Sequence, residues 1–295
     1  MTGPSAPLPP DRIQALSGAE VDQLLSELES AIPASPPLAR IGSATAELLD
    51  IIGDSHGDWR STAAATAKFV RAPQSRAFAG LGDYIDRAPS DCPGGSAVNA
   101  LYLLSLKAAH PDRVFLLQGN HEAARRIELT PQTTQEEMAD RWGPDDRRYS
   151  RLMGLLERGP LAAYTDSGVF LAHGGFPPDL PGHWQDRFQK IDDPLVMDLL
   201  WRDIAVSSVD RGHSPAFTEA DLSRFLQATG LSVFVRGHDP RVVGQVLYGD
   251  RVLTLHTSRA YRRFGGILVA HAPLARPVRK ITDLEVEALT VDGEH

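Results

Sequence analysis

The chain has 295 residues, 42% of them hydrophobic, enough to bury a core as one large domain or two small ones. Its 30 basic and 38 acidic side chains leave a formal charge of −8, and no basic run stands out, so neither a nucleic-acid footprint nor a membrane patch is expected. The lone cysteine, Cys92, excludes an intrachain disulfide and a cysteine-based zinc site; with no run that could span a bilayer and no secretory signal, the cytoplasm is the expected compartment.

Residues 1–11 hold Pro4, Pro7, Pro9 and Pro10 and read as a flexible or extended arm. Ser17 and Glu20 have capping-box spacing, and Val21, Leu24, Leu25 and Leu28 recur at helical intervals. They predict an amphipathic helix over residues 18–30, whose apolar stripe is expected to pack on the domain rather than dock a partner. Residues 32–37 form a Pro-rich connection. Residues 48–52 are an apolar run with one charge, Asp50, and read as a buried strand that stops at Gly53.

An alanine-rich helix is expected over 59–69, a second strand over 77–82, a helix over 96–110 and a third strand over 113–119. Residues 122–160 are charged and read as helices with loops. After Gly168 the pattern becomes β-rich, with strands expected over 168–173, 231–236, 242–248, 251–257, 266–271 and 283–291. One helix interrupts them, capped by Thr218 and Asp221 and closed by Gly230. A βαβ first half and a β-rich second half predict an α+β fold of two mixed sheets packed face to face and flanked by helices. Residues 1–44 are expected to form a Pro-rich N-terminal arm with its helix, and residues 45–295 a single domain.

One event recurs along the chain: an apolar strand, a glycine, and a side chain suited to metal or acid–base chemistry. Gly53-Asp54-Ser55-His56-Gly57-Asp58 ends the first strand. Gly82-Asp83-Tyr84-Ile85-Asp86-Arg87, Gly119-Asn120-His121-Glu122, His173-Gly174-Gly175 and Arg236-Gly237-His238 each follow another run. A lone aspartate at a strand end is usually a turn or cap residue, and a lone buried histidine a satisfied core group; all of these together in one chain point elsewhere. Asp54, His56, Asp83, Asn120, His173 and His238 combine hard oxygen donors with imidazoles, which suits Mn, Fe or Zn and argues against a pure Mg site. With two carboxylates and four neutral donors, one carboxylate bridging two metals is the natural arrangement.

These motifs resemble those of the PPP family of metal-dependent serine/threonine phosphoprotein phosphatases, within the calcineurin-like metallophosphoesterases. The likeness runs over residues 48–269 and includes Trp142-Gly143, residues 159–163, Leu199-Leu200-Trp201-Arg202-Asp203 and Gly237-His238-Asp239-Pro240. It implies a four-layer sandwich holding two divalent or trivalent ions, Mn or else Fe or Zn. Asp54 and His56 would bind the first, Asn120, His173 and His238 the second, and Asp83 would bridge. It further implies in-line attack on phosphorus by a metal-bridging hydroxide. His121 would be the general acid, Asp86 its orienting partner, and Arg87, Arg211, Asn120 and Tyr261 the groups on the substrate phosphate. His213 reads as a loop residue.

Several positions depart from the family pattern: Ala88 stands for a glycine, Gln118 for an arginine, Ile204 ends the Trp-Arg-Asp segment, and the loop before the last strands lacks Ser-Ala-Pro-Asn-Tyr. None removes a ligand, but all reshape the substrate rim. The expected activity is dephosphorylation of phosphoproteins or phosphopeptides. A hydrolase of dinucleoside polyphosphates (Ap4A-type) or other small phosphoesters is the alternative enzyme, and a phosphatase-like binding protein without turnover the alternative of another class. Regulatory partners are not legible.

Overall fold

The computed structural model describes residues 6–123, 132–206 and 215–291. Two helices, α1 (Pro10–Gln14) and α2 (Gly18–Ala31), precede the first strand, β1 (Leu38–Ile41). The capping box forms in both directions between Ser17 and Glu20. Proline is tolerated at a first helical position, so Pro10 opens a helix inside the stretch expected to be an arm.

A βαβαβ unit follows: β2 (Leu48–Ile52), α3 (Trp59–Arg71), β3 (Arg76–Gly80), α4 (Gly95–Ala109) and β4 (Val114–Leu116). Next come α5 (Thr134–Trp142), α6 (Asp146–Leu156), β5 (Ala162–Thr165), β6 (Val169–Ala172), α7 (Asp193–Trp201) and α8 (Glu219–Thr229). The chain closes with β7 (Val233–Arg236), β8 (Val246–Leu247), β9 (Val252–Thr254), β10 (Ile267–Pro273) and β11 (Glu285–Leu289).

The strands make two mixed sheets. One runs β1-β5-β6-β7-β9-β8, the other β11-β10-β2-β3-β4. Period-two alternation sorts their side chains between two faces. Leu49 and Ile51 of β2, Ala77 and Ala79 of β3, Val169 and Leu171 of β6, and Val233 and Val235 of β7 share the core between the sheets. The opposite faces meet helices: Ile52 and Phe78 pack with α2, α4 and α6, and Phe170 and Phe234 with α7 and α8. This is the four-layer sandwich.

Residues 38–41 lie within the segment set apart as residues 1–44, yet β1 pairs in parallel with β5. Val21, Leu25 and Leu28 of α2 are fully buried in the core shared with α4 and α6, so the packing shows no break at residue 44. Unforeseen elements are β1 and β5, each four residues long, and α7, which Asp192 caps at Leu195 N. The strand expected over 242–248 shrinks to two residues, because Pro240–Val242 turns as a 3-10 helix. Among the described residues no helix is long and apolar enough to cross a membrane.

Candidate metal and phosphate site

The motif residues converge where β2, β3 and β4 of one sheet and β6 and β7 of the other reach their carboxyl ends. This is where open α/β sheets place ligands. Several of them sit on unusual backbone. His56, Asp83, Asp86, Arg87 and His238 all have positive φ, between 41° and 73°. Non-glycine residues avoid this region, and such strain gathers at functional sites.

Three clamps hold the backbone there. The Glu122 carboxylate accepts N–H bonds from Asp83 (2.7 Å), Tyr84 (2.9 Å) and Gly119 (2.8 Å). Ser55 and His56 donate their N–H groups to the Asp83 carbonyl. The His238 N–H donates to Asp54 Oδ1 at 2.9 Å. Gly237 is what lets that strand approach, since a Cβ there would collide with Asp54 Oδ1.

Asp83 is the centre of the cluster. Its carboxylate oxygens lie 3.5 Å from His56 Nε2, 4.0 Å from His121 Nε2 and 3.5 Å from His173 Nε2. Donor atoms of His56, Asp83 and His121 all fall within 4.8 Å of one another, and so do those of Asp83, His173 and His238. Asn120 Oδ1 lies 2.8 Å from His173 Nε2 and 3.0 Å from His238 Nδ1. Asp54 Oδ2 lies 3.9 Å from His56 Nε2.

This donor set fits cations. His56 Nδ1 donates to the Ile85 carbonyl at 2.9 Å and His173 Nδ1 to the Leu81 carbonyl at 3.0 Å. Each tautomer is thereby fixed with the Nε2 lone pair turned to the cluster, as metal-binding imidazoles require. His121 Nε2 is buried with no hydrogen-bond partner. Burial pushes the Asp54 carboxyl up to about 6 and the His56 imidazole down to about 3. Burial also raises Asp83, but the imidazoles of His173, His121 and His56 outweigh it and hold that carboxyl well below its usual range. A cation among these groups would compensate the buried charge.

His121 is tied differently. Its Nδ1 donates to Asp86 Oδ2 at 2.6 Å. Burial opposes its protonation, yet Asp83 and Asp86 together raise its pKa. Asp86 is fixed from behind: its Oδ1 accepts from the N–H groups of Thr133 (2.8 Å) and Thr134 (3.0 Å) and from Thr134 Oγ1 (2.7 Å), at the start of α5. Arg87 is exposed at the rim, where its Nη1 donates to Tyr261 Oη at 2.9 Å. Arg211 and His213 lie outside the described residues.

The family-pattern departures have other partners. Gln118 Nε2 donates to the carbonyls of Glu157 and Gly159. Arg202 donates to those of Phe176 and Pro215. Sequence reading missed four contributors: the Glu122 clamp, the threonines behind Asp86, Asp203 at 3.8 Å from His238 Nε2, and His256 at 3.2 Å from Asp54 Oδ2. His256 does end an apolar run, but without the glycine that flagged the others.

Residues 49–242 match the calcineurin-like phosphoesterase family. The chain is 29% identical over 242 residues to a serine/threonine-protein phosphatase of Candida albicans, PP2A-like PPG1, covering 78% of this chain and 53% of that protein. It is 29% identical over 221 residues to a probable serine/threonine-protein phosphatase of Encephalitozoon cuniculi, covering 72% and 47%. The chain thus spans about half the length of the curated relatives it matches. A solved protein serine/threonine phosphatase of Saccharomyces cerevisiae, described as similar to human PP5, shares the fold with a TM-score of 0.75 at 23% identity, over 95% of this chain and 91% of that one.

Proposed function

Because the chain belongs to the calcineurin-like phosphoesterases, we propose that it is a hydrolase of phosphoserine and phosphothreonine in proteins, working on two metal ions. The observation that carries this reading is the position of Asp83, shared by the His56–His121 group and the His173–His238 group. Asp54 and His56 would hold one ion, Asn120, His173 and His238 the other, and Asp83 both. Oxygen and imidazole donors favour Mn, with Fe or Zn next. Bound there, the ions would supply Lewis acidity to the phosphoryl group and to the attacking water.

The chain's own residues do the rest. Arg87 presents a planar fork that fits two phosphate oxygens, and Tyr261 beside it fixes that fork. Asn120 and Arg211 would complete the grip. His121 carries a proton at Nε2 for the leaving oxygen, and Asp86 supports that charged form against burial. The serine/threonine preference rests on the named relatives. A cytoplasmic setting fits the single, buried Cys92.

The test is metal-stripped protein assayed on a phosphothreonine peptide, then again with Mn restored, beside an Asp83→Asn variant. Metal-dependent phosphate release that the variant loses, together with metal content, is the expected result. Activity confined to an aryl phosphate or a dinucleoside polyphosphate would overturn the substrate and keep the site. Undiminished turnover and metal content in Asp83→Asn would overturn the shared-ligand role.

A further inference from the structure

We infer that His256 is an additional ligand of the ion held by Asp54 and His56. This rests on the two-metal reading above and extends it to a residue outside the motif set.

The imidazole of His256 is 1% exposed, and neither ring nitrogen makes a hydrogen bond. Its Nε2 lies 3.2 Å from Asp54 Oδ2, without the alignment of a hydrogen bond. A buried polar group left unbonded is costly. His271, the other histidine buried off the motif set among the described residues, is bonded at both nitrogens. A cation within reach of both Asp54 Oδ2 and His256 Nε2 would satisfy the pair.

The placement is built. Asp54 and His256 form a parallel bridge, and Thr257 N–H donates to the Asp54 carbonyl at 2.8 Å. Thr257 Oγ1 accepts from Gly53 N–H and donates to the Leu268 carbonyl, while Leu268 N–H donates to the His256 carbonyl. Gly53 permits this approach, because a Cβ there would run into the Leu255 carbonyl. The Tyr261 ring packs edge-on against His256 at 5.2 Å and holds it facing Asp54.

With His256, the first ion would have Asp54, His56, Asp83 and His256 around it. Both ions would then have two imidazoles, which moves the first site towards metals that imidazole suits, Zn and Fe, and away from Mg.

The experiment compares the full chain with His256→Phe, which keeps the ring packing against Tyr261 but offers no donor atom. Both are stripped and titrated with Co(II), following the visible absorption and the bound metal, and both are melted metal-free. The expected result is two bound ions in the parent. In the variant one ion binds at least about tenfold more weakly, with an altered cobalt band, and the metal-free melting temperature is no lower. An unchanged cobalt spectrum with two unchanged affinities overturns the inference and leaves the two-metal reading standing. So does an unchanged spectrum with a lower metal-free melting temperature, which would make His256 a hydrogen-bond donor to Asp54. A parent chain that binds no Co(II) overturns the two-metal reading and the inference with it.

Discussion

Tyr261 accepts a hydrogen bond from Arg87 Nη1 at 2.9 Å, joining the β3–α4 loop to the β9–β10 loop across the mouth of the site. The tyrosine's own segment is pinned by Arg259, which donates to both oxygens of Asp58 at 2.9 Å and to Asp91 at 2.6 Å. The direction of the Arg87 fork is therefore set by the loop that carries the chain from one sheet to the other.

Arg87→Ala is expected to lower kcat/KM on a phosphopeptide about 10- to 100-fold, the worth of charged hydrogen bonds to phosphate. Tyr261→Phe leaves the guanidinium in place but unsteadied, and its loss is expected to be smaller and mainly in KM. Steady-state kinetics decide: a Tyr261→Phe defect as large as that of Arg87→Ala would mean that the phenol itself touches substrate.

His121 and Asp86 stand 2.6 Å apart, with Asp86 anchored on the start of α5. His121→Asn is expected to reduce kcat on phosphoserine about 10²- to 10⁴-fold, as loss of a general acid does. An aryl phosphate, whose leaving group needs little protonation, should suffer much less, and metal content should be unchanged. Equal losses on both substrates would remove the proton-donor role; lost metal would make His121 a ligand, as its place beside His56 and Asp83 allows.

On the helix side of the second sheet, Asp50 accepts from Arg76 Nε at 2.8 Å and from His271 Nδ1 at 2.6 Å, while His271 Nε2 lies 3.1 Å from Glu287. Burial opposes charge on both Asp50 and His271, yet their partners win: Asp50 lies below its ordinary 3.8 and His271 above its ordinary 6.5. The His271 contribution is complete below pH 6.5 and is lost as pH rises through its raised folded value. The Asp50 contribution is complete above pH 3.8 and is lost as pH falls through its depressed value. The urea midpoint should thus fall more steeply from neutral to alkaline pH in the parent than in His271→Gln. Parallel profiles would show that His271 is not charged in the folded protein.

Leu25 of α2 is fully buried against the helices on that side. Leu25→Ala is expected to cost about 2–5 kcal/mol, read as a lower urea midpoint, with kcat on the folded protein unchanged. A change under half that size would show that residues 1–44 are an appendage rather than part of the packed body.

The sheet-forming runs were legible because strands buried on both faces read as unbroken apolar stretches, and those ending at Gly53 and His173 fell within a residue or two of their places. The residues brought together at the strand ends were legible because each carried its own short signal. What escaped was long-range or short. β1 pairs with a strand more than a hundred residues away, and four residues after a double proline give little periodicity. The threonines that hold Asp86 lie 47 and 48 residues from it. His256 has no glycine beside it, because the glycine that makes room for it is Gly53, just past the end of β2.

The left-handed backbone at His56, Asp83, Asp86, Arg87 and His238 sets stability against function. At each of these positions glycine would relieve torsional strain, while removing a donor or a charge. Selection for folding alone would drift them towards glycine, and selection for chemistry would hold them. A library screened only for heat resistance should therefore enrich glycine at these positions, yielding tougher proteins with a quieter site.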